Sequence, residues 1–99
     1  MPHDLERFLR DYVGPIVVYV WERDCGASCD MELHLRVLER LKRLPVVRLS
    51  LTMYRDWAST HGIYGTPALV VYHHGQPLFR LLGRTTATTL LQRLHEHGL

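Results

Sequence analysis

The chain has 99 residues, 46% of them hydrophobic, and a formal net charge of +2, which fits one domain, residues 1–99, with a core that needs no staples. Eleven Arg and one Lys are interleaved with ten acidic residues, with no basic block of the kind a nucleic-acid partner requires. No apolar run approaches the ~18 residues that span a bilayer, and the charged start MPHDLERFLRD lacks the apolar region of a secretory signal. The expectation is a cytoplasmic protein without a membrane partner, and the preference for Arg with no Asn hints at a bacterial source.

In chain order, Asp4 to Val13 carries Leu5, Phe8, Leu9 and Tyr12 at spacings of three and four, one apolar helical stripe. Gly14-Pro15 stops it. Ile16 to Trp21 is β-branched and aromatic throughout, as in a strand covered on both faces. Asp30 to Leu44 repeats apolar residues at Met31, Leu35 and Leu38 and at Leu33, Val37, Leu41 and Leu44, a broad stripe for a long helix. Val46 to Met53 reads as a second buried strand and Tyr54 to His61 as a short helix. Ala68 to Tyr72 and Leu78 to Leu82 read as a hairpin around HHGQP, with Gly75 at the turn. Thr85 or Thr86 caps a last helix facing the core through Ala87, Leu90, Leu91 and Leu94. Two strand-helix-strand units imply parallel pairing and the hairpin antiparallel pairing. The fold class is α/β, a mixed sheet of about four strands with helices on both faces.

The stretch WERDCGASC holds the only two cysteines, Cys25 and Cys29, with three residues between them. In a reducing compartment such a close pair points to redox chemistry or metal binding ahead of a structural bridge. Cys25 falls just before a helix, where unpaired N–H groups and the dipole favour the thiolate; Cys29, beside Asp30, falls in the first turn. A disulfide needs Cα atoms about 4.4–6.8 Å apart with converging Cβ vectors. That places Cys25 outside the helix, with Gly26-Ala27-Ser28 bulging to absorb the spacing.

The apolar strand ending in Trp21 before Cys-Gly and a second cysteine, the segment GIYGTPALVVYHHGQP, and the terminal helix after Gly83 together resemble the thioredoxin-like fold family. The resemblance covers Asp4 to Leu99. It implies a cis Pro67 beside the cysteines, backbone at Thr66 and Pro67 that pairs with a bound partner, and support of the cysteine loop by Trp21. It also implies thiol-disulfide exchange with protein thiols or disulfides as partners, Cys25 attacking and Cys29 resolving, with no cofactor. Departures accompany it: one extra residue and no Pro between the cysteines, Asp24 in place of Trp, and Tyr19 where thioredoxins bury a carboxylate. Two alternatives therefore stand beside the oxidoreductase: a non-catalytic adaptor that binds a protein partner, and a copper site. The Cys-x3-Cys spacing resembles that of the Sco copper chaperones, soft thiolates suit Cu(I), and His61, His73 and His74 are candidate further ligands. The remaining histidines, His34 among them, are expected on solvated faces, and Trp57, Tyr54 and Tyr64 in the core or at its rim.

Overall fold

In a computed structural model, the structure describes the backbone of residues 2–23 and 26–99, and the side chains within those ranges except at 2–3 and 26–29. The elements are α1 (Pro2–Asp11), β1 (Pro15–Trp21), α2 (Gly26–Lys42), β2 (Val46–Ser50), α3 (Arg55–Thr60), β3 (Ala68–His73), β4 (Gln76–Leu82) and α4 (Ala87–Glu96). The four strands form one mixed sheet in the order β2-β1-β3-β4.

β1 is central because its sequence is apolar at every position, so both of its faces are buried. Ile16, Val18 and Val20 join Leu5 and Leu9 of α1, Ala58 of α3 and Tyr72 of β3 on one face. Val17 and Tyr19 join Met31, Leu35 and Leu38 of α2 and Leu90 and Leu94 of α4 on the other. This is the period of two along a strand, read out as two separate cores.

β1 and β2 are parallel, as the crossover through α2 requires. The second expected parallel crossover is overturned: β3 runs antiparallel to β1. The reason is length. α3 has six residues, about 9 Å of helix, too little to carry the chain back along the sheet. β2 leaves the sheet with Ser50 opposite Trp21, and β3 enters from that same end with Ala68 opposite Val20. The hairpin to β4 turns at His74 and Gly75, with φ of 54° and 76°, the paired left-handed conformation that a two-residue turn between twisted strands requires. Gly75 also approaches the Arg10 backbone, so a side chain there would be both strained and crowded.

Two further expectations change at α2. The helix begins at Gly26, so Gly26, Ala27 and Ser28 are helical instead of bulged. The broad apolar stripe is also narrower than its sequence suggests: Met31, Leu35 and Leu38 are buried, whereas Leu33, Val37 and Leu41 are 66%, 46% and 66% exposed. These three lie at i, i+4 and i+8, a row turned away from the sheet. Expected strand ends also move, since residues 51–54 turn and β2 stops at Ser50. Its edge is covered by charge. Arg48 reaches Glu32 at 2.6 Å and Glu39 at 2.8 Å on α2, and these bonds, that to Glu32 first, raise its already high pKa further.

Candidate functional site

The end of the sheet where β1 stops gathers most of the residues that the sequence singles out. Trp21 is half-buried against the α2–α4 core, and its carbonyl accepts a hydrogen bond from the Leu51 N–H at 2.9 Å. Two residues after β1 the chain enters a segment holding Asp24 and Cys25, which lie outside the described residues. Cys29 is the fourth residue of α2, in its first turn; its side chain also lies outside them.

Across the sheet, the Thr66–Pro67 peptide bond is cis, Pro67 is buried and Thr66 half-buried. Because Val20 pairs with Ala68, one further step of the same register sets Pro67 opposite Trp21. The Pro67 carbonyl is held by the Gly83 N–H at 2.8 Å. Gly83 itself has φ of 82° with open space around it, so backbone conformation alone selects glycine there. Tyr64, three residues before Pro67, is 77% exposed.

Three loops meet around this end. Thr52 donates to Glu22 at 2.5 Å, joining the exits of β1 and β2. On the other side Arg84 pairs with Asp30 at 3.1 Å, the Thr85 N–H donates to the Met31 sulfur at 3.3 Å and the Ala87 N–H donates to His34 Nδ1 at 3.1 Å. His34 was expected on a solvated face; it is half-buried and closes an otherwise open N–H at the start of α4. Thr86 supplies the α4 cap, accepting from the Thr89 N–H at 3.2 Å. The first turns of α2 are thus tied to the loop that also anchors Pro67. Tyr19 sits directly under α2 and is 1% exposed, a phenol where a carboxylate would be the more polar choice.

The candidate copper ligands separate. The rings of His73 and His74 meet at a tilt in the hairpin, with centroids 3.9 Å apart, at the opposite end of the sheet from Trp21. His61 is engaged elsewhere: Nδ1 donates to the Trp57 carbonyl at 2.9 Å, and Nε2 meets the Tyr72 hydroxyl. Among the described residues, no group of three or more His, Cys, Asp and Glu side chains is placed to hold a metal. Cys25 and the side chain of Cys29, on which the copper alternative depends, are outside them.

The cluster of Trp57, His61 and Tyr72 is what the sequence reading missed as a unit. Its signal was half visible, since Trp57 and His61 are four apart across one short helix, but nothing local ties Tyr72 to them. The rings of Trp57 and His61 stack at 4.1 Å. Burial, with Glu6 nearby, pushes the Tyr72 phenol up to about 12.

No protein-family model matches the chain, and no curated protein matches it by sequence. Solved structures do. A mutant thioredoxin from Halobacterium salinarum NRC-1 superposes with a TM-score of 0.85 at 18% identity, over 95% of this chain and 82% of that one. Thioredoxin from Fasciola hepatica gives 0.83 at 19% identity over 97% and 93%, and that from Aeropyrum pernix 0.78 at 21% over 97% and 82%. The chain has the thioredoxin-like fold. Among the described residues no helix is long and apolar enough to cross a membrane.

Proposed function

We propose that the chain is a thiol-disulfide oxidoreductase or isomerase-like protein acting on protein partners. Cys25, as thiolate, attacks one sulfur of a partner disulfide, forming a mixed disulfide and releasing the other partner sulfur as thiolate. Cys29 then loses its proton and attacks the Cys25 sulfur; the Cys25–Cys29 disulfide forms and the second partner thiol leaves. The partner has gained two electrons from the chain, and an external dithiol, itself oxidised to a disulfide, must reduce the Cys25–Cys29 bond to restore the two thiols. Thr66 and Pro67 present backbone to the partner chain, and Trp21 supports the cysteine loop.

The observation that carries this reading is the position of the cis Pro67 opposite Trp21, at the end of the sheet where the chain turns into α2 with Cys29 in its first turn. The seventeen-residue α2 directs its positive end at the segment that holds Cys25, which favours a thiolate there. Asp30 and the Asp30–Arg84 pair lie beside that end, where Arg84 offsets the carboxylate. The adaptor reading has a specific support of its own, the buried Tyr19 in place of an ionisable carboxylate.

Insulin reduction by dithiothreitol separates the two. The oxidoreductase accelerates precipitation of the insulin chains above the reductant alone, and Cys25→Ser abolishes the acceleration. No acceleration, with partner capture unchanged in Cys25→Ser, leaves the adaptor.

A further inference from the structure

Residues 83–87, between β4 and α4, hold Pro67 on one side and α2 on the other. The Gly83 N–H donates to the Pro67 carbonyl at 2.8 Å. Arg84 pairs with Asp30 at 3.1 Å, the Thr85 N–H donates to the Met31 sulfur at 3.3 Å, and the Ala87 N–H donates to His34 Nδ1 at 3.1 Å. The loop therefore sets the cis Pro67 against the turns of α2 that follow Cys29. Its three ties to α2 differ in kind. The Asp30 and Arg84 side chains are 62% and 68% exposed, so water screens their attraction, and a thioether is a weak acceptor. The bond to half-buried His34 is the tie on which the contact chiefly depends.

That bond fixes the charge of the ring. A backbone N–H only donates, so Nδ1 carries no proton here and the neutral imidazole holds its proton on Nε2. A second proton has only Nδ1 to go to. It turns the acceptor into a donor facing another donor, and it sets a positive charge at the N-terminus of α4, where the helix dipole is positive too. α4 has no acidic residue in its first turn and carries its bases, Arg93 and His95, in its last. The core beneath α2 contributes the phenol of Tyr19. Around the cleft where the loop meets α2, the charged side chains among the described residues are Arg84, a second cation, and Asp30. Asp30 lies four residues before His34, within helical reach, but drawing it onto the imidazolium takes it from Arg84. Either response loosens the loop.

We propose that His34 is a positioning residue that acts as a proton-controlled latch: neutral, it holds residues 83–87, and through Gly83 the cis Pro67, against α2; protonated, it releases them. The latch stands on these hydrogen bonds, and its consequence for thiol exchange rests on the oxidoreductase reading above. Acidification then lowers exchange through the docking backbone at Thr66 and Pro67, in addition to protonating the attacking thiolate.

The test follows the nitrogen-proton and imidazole NMR signals of the intact protein from about pH 8 to about pH 5.5, the range in which imidazole changes charge. The amide signals of Thr66, Gly83, Thr85 and Ala87 shift in one step whose midpoint is that of the His34 ring. His34→Gln, whose side-chain oxygen accepts from the same N–H and does not titrate, removes the step and keeps these signals near their neutral-pH positions. His34→Leu, which cannot accept, sets them at their acid positions at every pH. In insulin reduction, the rate of the parent relative to His34→Gln falls about two- to tenfold across the same range, the loss expected of one hydrogen bond. Coupled amide shifts with no insulin reduction in either protein support the latch and strike the oxidoreductase reading. Amide signals that ignore the His34 titration, a step of equal size in His34→Gln, or an equal pH dependence of insulin reduction in the two proteins overturns the proposal.

Discussion

On the α2–α4 face the sheet buries Val17, Tyr19, Leu69, Val71 and Phe79 under Met31, Leu35 and Leu38. On the α1–α3 face it buries Ile16, Val18 and Val20, but there β3 contributes Tyr72, bonded to His61 beside an open groove. One strand serves both. The difference lies in the covering helices: seventeen residues of α2 close one face, while six residues of α3 leave part of the other unroofed. A closed face suits the helix that carries Cys29, because it fixes the position of its backbone.

The sharpest way to break this comparison is to remove packing from the closed face. Leu35→Ala, at a fully buried site, is expected to lose about 2–5 kcal/mol in urea unfolding. Leu33→Ala on the same helix, 66% exposed, is expected to change stability by less than about 0.5 kcal/mol. Equal losses at the two positions contradict the narrow buried stripe.

The open face is tested next by Gly62→Ala. Gly62 has φ of 73°, and a Cβ there collides with the Arg80 guanidinium, which donates to the His61 carbonyl at 2.7 Å. Left-handed backbone alone costs about 1–2 kcal/mol in a residue with a side chain, and displacing Arg80 adds to it. Thermal unfolding should show the loss, and the His61 ring resonances should move with it.

Tyr72 gives a pH signature. Its pKa rises from 10 in the unfolded chain to about 12 in the fold, so the folded state holds the proton more tightly. The associated stability is fully present below pH 10 and is lost as pH rises toward 12, to an extent of up to about 2 kcal/mol. Tyr72→Phe is expected to flatten that part of the stability curve relative to the parent protein; a parallel decline in both contradicts the burial of the phenol.

The smallest effect is expected at the sheet edge. Arg48→Met removes the bonds to Glu32 and Glu39, with the Arg48 side chain 32% exposed. Screened pairs of this kind contribute about 1 kcal/mol or less, measurable as a loss that shrinks in high salt.

What was legible in the sequence followed from local periodicity. The β-branched run Ile16 to Val20 announced a strand buried on both faces, and Gly75 and Thr86 marked a turn and a cap that the structure contains. Non-local facts were not legible. The direction of β3 depends on how far α3 reaches, which apolar spacing does not encode. The exposure of Leu33, Val37 and Leu41 depends on where α4 lies, since α2 and α4 share the covering of one face. The meeting of Tyr72 with His61 depends on sheet register. Where β1 ends, Trp21, Thr66 and Pro67 converge at one end of the sheet through the antiparallel pairing of β1 and β3, a pairing opposite to the one the sequence suggested.

The central claim is that Cys25 and Cys29 work as one dithiol. Its most direct test is mass spectrometry of the intact protein equilibrated in graded mixtures of reduced and oxidised glutathione, with peptide mapping of each species. An intramolecular Cys25–Cys29 link that appears and disappears together with the loss and return of two hydrogens is the predicted result. Two cysteines that are glutathionylated independently and never link to each other at any poise would contradict it.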